Sequence, residues 1–130
     1  MVNSSDFIAI IDDSEIFRNT VKKMLINFEY DFLEAANGEE GLEVIKDYND
    51  KISLLIIDLN MPRLNGIQVI EKMHQESIGK DIPIILFTSE PPKEFEDLRC
   101  RIPNLKAWMM KPIMEPKFIS VANLLLKKNN

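Results

Sequence analysis

The chain has 130 residues, 45% of them hydrophobic, and a formal net charge of −5. That is the length of one domain with apolar content for a core, and the acidic balance argues against nucleic acid as a direct partner, because phosphate binding needs a basic surface. The single cysteine, Cys100, excludes an intramolecular disulfide, no apolar run reaches the ~20 residues of a membrane span, and the N-terminus has no basic and apolar signal pattern. One domain over residues 1–130, in the cytoplasm, is expected.

Phe7 to Ile11 is a short apolar run that predicts a first strand, ending in the acid pair Asp12-Asp13. Ser14 can cap a helix running to about Phe28, since Phe17, Val21, Met24, Leu25 and Phe28 share one face. Asp31 to Ala35 predicts a second strand. Asn37 and Glu40 stand at capping-box spacing and open a second helix, with Leu42, Ile45 and Tyr48 on its inner face. Leu54-Leu55-Ile56-Ile57 is unbroken and partly β-branched, so it reads as a strand buried on both faces. Asp58 closes that strand, and Pro62 follows four residues later.

A third helix is expected from about Gly66 to Ser77, with Gly79 helping to stop it. Ile82 to Phe87 predicts a fourth strand ending in Thr88-Ser89. Pro91 and Pro92 restrict the next stretch to a loop or a first helical turn. Phe95, Leu98 and Ile102 allow a short helix that Pro103 ends, with Asn104 in a left-handed cap. Leu105 to Met110 predicts the fifth strand, ending in Lys111-Pro112. From about Glu115, Phe118, Val121, Ala122 and Leu125 mark a last helix, with Lys127 and Lys128 in its final turn, where cations suit the dipole. Five alternations of strand and helix predict an α/β fold: a parallel sheet, helices on both faces, right-handed crossovers.

An acid pair, an acid, a hydroxyl and an amine therefore fall at the carboxyl ends of buried strands, the edge where open α/β sheets bind ligands. Three carboxylates at one edge repel each other and raise each other's pKa, so a positive partner is required. A few carboxylate oxygens with room for water and a phosphoryl oxygen describe a Mg²⁺ site. Lys111 adds a fixed positive charge. A carboxylate in such a setting can attack phosphorus, which would make Asp58 an aspartyl-phosphate, with Thr88 donating to a phosphoryl oxygen.

With Asp12-Asp13, Asp58-Leu-Asn-Met-Pro62, Gly66, Thr88-Ser89 and Lys111-Pro112 in this order, the chain resembles the response-regulator receiver domain of two-component signalling, of the chemotaxis-regulator type. The resemblance covers nearly the whole chain. It implies a doubly wound, flavodoxin-like five-stranded sheet of order 2-1-3-4-5. It implies Asp58 as phosphoacceptor, Asp13 and Asp58 as direct Mg²⁺ ligands, Asp12 acting through water, and the backbone carbonyl of Asn60 completing the metal site. Lys111 and Thr88 contact the phosphoryl group, Trp108 is the switch aromatic, and Asn60 and Glu90 influence the phosphoryl lifetime. The Lys111-Pro112 bond is expected to be cis. The implied partners are a sensor histidine kinase or histidine phosphotransfer protein and a downstream protein target. The implied role is signalling, with self-catalysed phosphorylation and dephosphorylation and no external substrate.

Three positions depart from the family pattern: Pro91-Pro92 where the fourth helix is usually more regular, Pro103-Asn104-Leu105-Lys106-Ala107 in place of a small-residue run, and Trp at 108 in place of Tyr or Phe. A phosphorylation-independent interaction module is the alternative, and the intact set of site residues argues against it. An aspartate-nucleophile phosphatase would want a second acid two residues after Asp58, where Asn60 stands. His74, among Lys72, Gln75 and Glu76, reads as a solvated surface residue, and Cys100 as an inert thiol.

Overall fold

The computed structural model describes residues 6–127. Five strands, β1 (Phe7–Ile11), β2 (Asp31–Ala35), β3 (Ile52–Asp58), β4 (Ile84–Thr88) and β5 (Leu105–Met110), alternate with five helices. The helices are α1 (Glu15–Met24), α2 (Gly38–Asp47), α3 (Gly66–Glu76), α4 (Phe95–Arg101) and α5 (Glu115–Lys127). All pairings are parallel, in the order β2-β1-β3-β4-β5. Among the described residues no helix is long and apolar enough to cross a membrane.

The strand alternation of period two divides the core. Ala9, Ile11, Leu55, Ile57, Ile84 and Leu86 face the α2–α4 side, with Leu42, Ile45, Val69, Ile70, Met73 and Leu98. Ile8, Ile10, Leu54, Ile56, Ile85 and Phe87 face the other side, with Val21, Leu25, Phe118 and Ala122. β3 is buried along its whole length, as its unbroken apolar run requires. The central strands β1, β3 and β4 therefore sit between two helix layers, while the edge strands β2 and β5 are partly exposed.

Several boundaries differ from the sequence expectation, each for a local reason. α1 ends at Met24 rather than near Phe28; residues Ile26–Phe28 tighten into a 3₁₀ turn, and Glu29 adopts the left-handed conformation at φ 64° to reverse the chain into β2. Asn37 caps α2 by accepting from the Glu40 N–H, but the Glu40 carboxylate accepts from Ala36 N–H rather than closing the box on Asn37. Tyr48 lies at the end of α2 and is exposed, its ring edge-on to Phe7 at 5.3 Å, so it does not join the inner face. α3 is stopped by Ser77 at φ 56°, and Gly79 at φ 64° makes the next turn, where a Cβ would come within 2.8 Å of Met73. β4 begins two residues later than expected, because Pro83 has no N–H for the ladder; its carbonyl still accepts from Leu55 N–H. Asn104 is not left-handed: its side-chain amide instead donates to the carbonyls of Gly79 (2.9 Å) and Ile82 (2.7 Å), tying the approach to β5 to the approach to β4. The Lys111-Pro112 bond is cis. Lys128 lies outside the described residues.

Candidate functional site

β1, β3, β4 and β5 deliver their terminal residues to one edge. Asp12 follows β1 and is wholly buried; Asp58 ends β3 and is 2% exposed; Asp13 is exposed. One carboxylate oxygen from each of the three lies within 4.8 Å of the others. Lys111, just past β5, sends its Nζ to Asp12 Oδ2 at 2.9 Å and to Asp58 Oδ1 at 3.4 Å. The backbone register supports this: Lys111 N–H donates to the Thr88 carbonyl, and Leu59 N–H to the Phe87 carbonyl. Gly66 lets the start of α3 close on the end of β3; a Cβ there would lie 2.5 Å from the Asp58 carbonyl oxygen.

The two buried acids are held differently. Asp12 is pinned on both oxygens, Oδ1 accepting from Ser14 N–H at 2.8 Å and Oδ2 from Lys111. Asp58 accepts from Asn60 N–H at 3.1 Å and faces Lys111, both on Oδ1; Oδ2 carries neither contact. Burial, and then the charge of Asp12, push the Asp58 carboxyl above its ordinary pKa, against the opposing pull of Asn60 N–H and Lys111. Burial alone would lower the Lys111 pKa, but its hydrogen bond to Asp12 and the charges of Asp12 and Asp58 outweigh it and hold the ammonium above its usual range.

Thr88 is wholly buried, and its hydroxyl is turned away from the acids: it donates to the Glu90 carbonyl at 2.7 Å and lies 3.4 Å from Asn60 Oδ1. Asn60 Oδ1 also accepts from Ser89 N–H at 3.0 Å and from the Ser89 hydroxyl at 3.2 Å. Glu90 meets this network through its backbone, with its side chain exposed. Trp108 on β5 is half-buried, pairs in register with Leu86, and sets its ring edge-on to Phe95 of α4 at 6.4 Å. The geometry thus joins Asp12, Asp13, Asp58 and Lys111 in one cluster, and Thr88 and Asn60 in a second beside it, while Trp108 stands one strand pair along β5. His74 and Cys100 are both exposed.

Three neighbours of the site were not legible as such. Phe17 lies under Lys111, its ring centroid 4.4 Å from Nζ, and continues edge-on into Phe87 and Phe118. Arg18 donates to the Asp12 carbonyl at 2.6 Å while its Nε holds Glu34 at 2.9 Å. Ser89 donates to the side-chain oxygen Oδ1 of Asn60. In the sequence, Phe17 reads as core from its periodicity, Ser89 stands in the Thr88-Ser89 pair without a role of its own, and nothing marks Arg18.

The family model for the response regulator receiver domain matches residues 8–123. The chain belongs to the response regulator receiver family. The chemotaxis protein CheY1 of Helicobacter pylori is 40% identical over 82 residues, which is 62% of this chain and 65% of that protein. The CheY homolog of Campylobacter jejuni is 35% identical over 82 residues, 62% of both chains. The alignments therefore span a little under two thirds of these relatives' lengths. Among solved structures, Vibrio cholerae CheY4 superposes with a TM-score of 0.79 at 24% identity, covering 93% of this chain and 98% of that one. A CheY-like receiver domain from Methanospirillum hungatei gives 0.79 at 19% identity, covering 97% and 99%. At those identities the structural likeness speaks for the fold. Receivers are signalling domains of two-component systems, and this receiver has the doubly wound sheet of that family.

Proposed function

We propose that this receiver accepts a phosphoryl group on Asp58 from a phosphohistidine of a sensor histidine kinase or histidine phosphotransfer protein, and that the change is read by a downstream protein target. The observation that carries the reading is Asp58 itself: a buried carboxylate with Lys111 Nζ 3.4 Å from Oδ1 and with Oδ2 outside that contact. In the step, Asp58 Oδ2 attacks phosphorus, the new O–P bond forms as the N–P bond breaks, and the electron pair returns to the imidazole nitrogen. Lys111 faces the charge that develops on the phosphoryl oxygens, and Thr88 reaches them once its hydroxyl leaves Glu90.

The donor set fits Mg²⁺: hard carboxylate oxygens, close enough to share one ion, one residue exposed to admit water. Asp13 and Asp58 would hold it directly, Asp12 through water, and Asn60 through its backbone carbonyl. When bound, the ion supplies neutralisation of the phosphoryl oxygens. On this reading residues 1–130 act as one cytoplasmic receiver unit without an external substrate, and Trp108 reports the state of Thr88 to the surface near α4 and β5.

Treatment with acetyl phosphate and Mg²⁺, followed by mass spectrometry, is expected to add one phosphoryl group to the wild-type chain and none to Asp58→Asn. Equal labelling of the variant moves the site elsewhere, and no labelling of wild type favours an interaction module that works without phosphorylation.

A further inference from the structure

Lys111 carries its charge on a flexible four-carbon stem, and two carboxylates hold such a stem only by its polar tip. A third contact adds to them. Nζ stands over the face of the Phe17 ring, 4.4 Å from its centroid, besides meeting Asp12 Oδ2 at 2.9 Å and Asp58 Oδ1 at 3.4 Å. The ring is itself fixed. It is half-buried and meets Phe87 edge-on at 5.1 Å, which meets Phe118 at 5.6 Å, and both of those phenylalanines are wholly buried. Its backbone is held as well: Phe17 N–H donates to the Ser14 hydroxyl at 3.2 Å, and Ser14 N–H donates to Asp12 Oδ1 at 2.8 Å. Asp12, Ser14, Phe17 and Lys111 therefore close a circuit, in which each holds the next and Lys111 returns to the other oxygen of Asp12.

From this circuit we propose that Phe17 is a positioning residue for phosphoryl transfer: its ring holds the Lys111 ammonium beside Asp58, and transfer slows when the ring is removed. The proposal rests on the reading of Asp58 as phosphoacceptor. With acetyl phosphate as donor, an Asp58 oxygen forms a bond to phosphorus, the bond from phosphorus to the acetyl oxygen breaks, and acetate leaves with the electron pair. Lys111 keeps its protons throughout and serves as a fixed positive charge facing the phosphoryl oxygens. A charge already in place needs no reorganisation as the transition state forms, whereas one drawn back from solvent does. An aliphatic side chain at position 17 would fill space but has no negative ring face to offer the ammonium.

The test is the rate at which acetyl phosphate and Mg²⁺ label the chain, read by mass spectrometry. Phe17→Leu should label about fivefold more slowly than wild type, the scale of one partly desolvated contact between a cation and a ring. Phe17→Tyr restores a ring face and should label at close to the wild-type rate. A Phe17→Leu rate equal to wild type overturns the proposal, as does a Phe17→Tyr rate as slow as that of Phe17→Leu. Urea unfolding supplies a check that needs no phosphate. Phe17→Leu should raise the unfolding equilibrium constant about fivefold more in the wild-type chain than in a Lys111→Met background, because only the former has an ammonium over the ring. Equal changes in both backgrounds would mean that Phe17 acts by packing on Phe87, and would overturn the proposal. Failure of wild type to label at all would instead overturn the phosphoacceptor reading and this proposal with it.

Discussion

The site has two halves built from different forces. On the β1, β3 and β5 side, buried charges hold each other: Asp12 and Asp58 around Lys111, with Asp13 at the rim. On the β4 side, neutral groups hold each other: Thr88 to the Glu90 carbonyl, Ser89 to Asn60. Charges out of water are costly to separate, whereas a neutral hydrogen bond exchanges for another at about 1 kcal/mol. The charged half is therefore suited to a fixed reaction centre, and the neutral half to rearrangement once a phosphoryl group competes for the Thr88 hydroxyl. Under the proposed phosphorylation, such a rearrangement would be a pre-existing equilibrium biased by a new contact, not a new force.

Removing Lys111 strikes the charged half hardest. Lys111→Met leaves Asp12 and Asp58 facing each other while buried, and is expected to lower the unfolding free energy by about 3 kcal/mol at neutral pH, measured by urea without divalent ions. The raised Lys111 pKa means that its stabilising contribution is complete below its ordinary value of 10.5 and fades only as pH rises above that, so neutral pH shows the full effect. A loss as small as that of an exposed lysine would erase the distinction between the halves.

Asp58→Asn should act in the opposite direction. The Asp58 pKa is raised on folding, so its favourable contribution is present below the ordinary value of 3.8 and is lost as pH climbs through the folded value; ionised Asp58 is a cost at neutral pH. In EDTA the variant should melt above wild type. Mg²⁺ should raise the melting temperature of wild type and narrow that gap, because a cation among three acids relieves the same repulsion. Asp13→Asn should lose most of the Mg²⁺ response. A Mg²⁺ shift undiminished in Asp13→Asn would place the ion away from this cluster.

The neutral half should yield smaller energies and a larger optical signal. Thr88→Ala removes one buried hydroxyl bonded to a carbonyl and should cost about 1 kcal/mol. Trp108 is the only tryptophan and packs edge-on against Phe95. Its fluorescence should change when Asp58 is phosphorylated, and change less in Thr88→Ala at equal phosphorylation. An unchanged emission in fully phosphorylated wild type makes Trp108 a fixed packing residue.

The charged half was legible in the sequence because its residues close buried strands, and period-two burial plus strand ends fixes where they point. The strand order was legible only through the family resemblance, since alternation alone leaves several orders open. What the sequence withheld were features set by short-range competition for hydrogen bonds. Asn104 could have been a left-handed cap, but its amide finds two carbonyls nearby that a glycine could not bind. α1 carries helical spacing as far as Phe28, yet the turn into β2 claims its last residues. Ser89 belongs to the Thr88-Ser89 pair and Arg18 lies five residues after Asp13, and only the folded geometry shows what they touch.

The charged half also reaches outward, and its outermost link should matter least. Arg18 holds the Asp12 carbonyl, Glu34 of β2 holds Arg18, and Lys22 holds the other Glu34 oxygen at 2.7 Å. The Lys22 hydrogen bond carries the Glu34 carboxyl below its ordinary pKa; burial opposes it, and the Arg18 hydrogen bond and the charges of Lys22 and Arg18 add to the lowering. A carboxyl whose pKa falls on folding contributes stability that is present above its ordinary value of 4.5 and is lost as pH drops through the folded value. Glu34→Gln should therefore cost under about 1 kcal/mol at pH 7, as partly exposed ion pairs do, and less in high salt. The cost should shrink further as the pH of the urea titration is taken below 4.5. If Glu34 also positions Arg18 for Asp12, the variant should weaken the Mg²⁺-induced rise in melting temperature by a measurable fraction. A stability loss that is insensitive to both salt and acid would mean that Glu34 acts through packing, and the charged half would then end at Asp12.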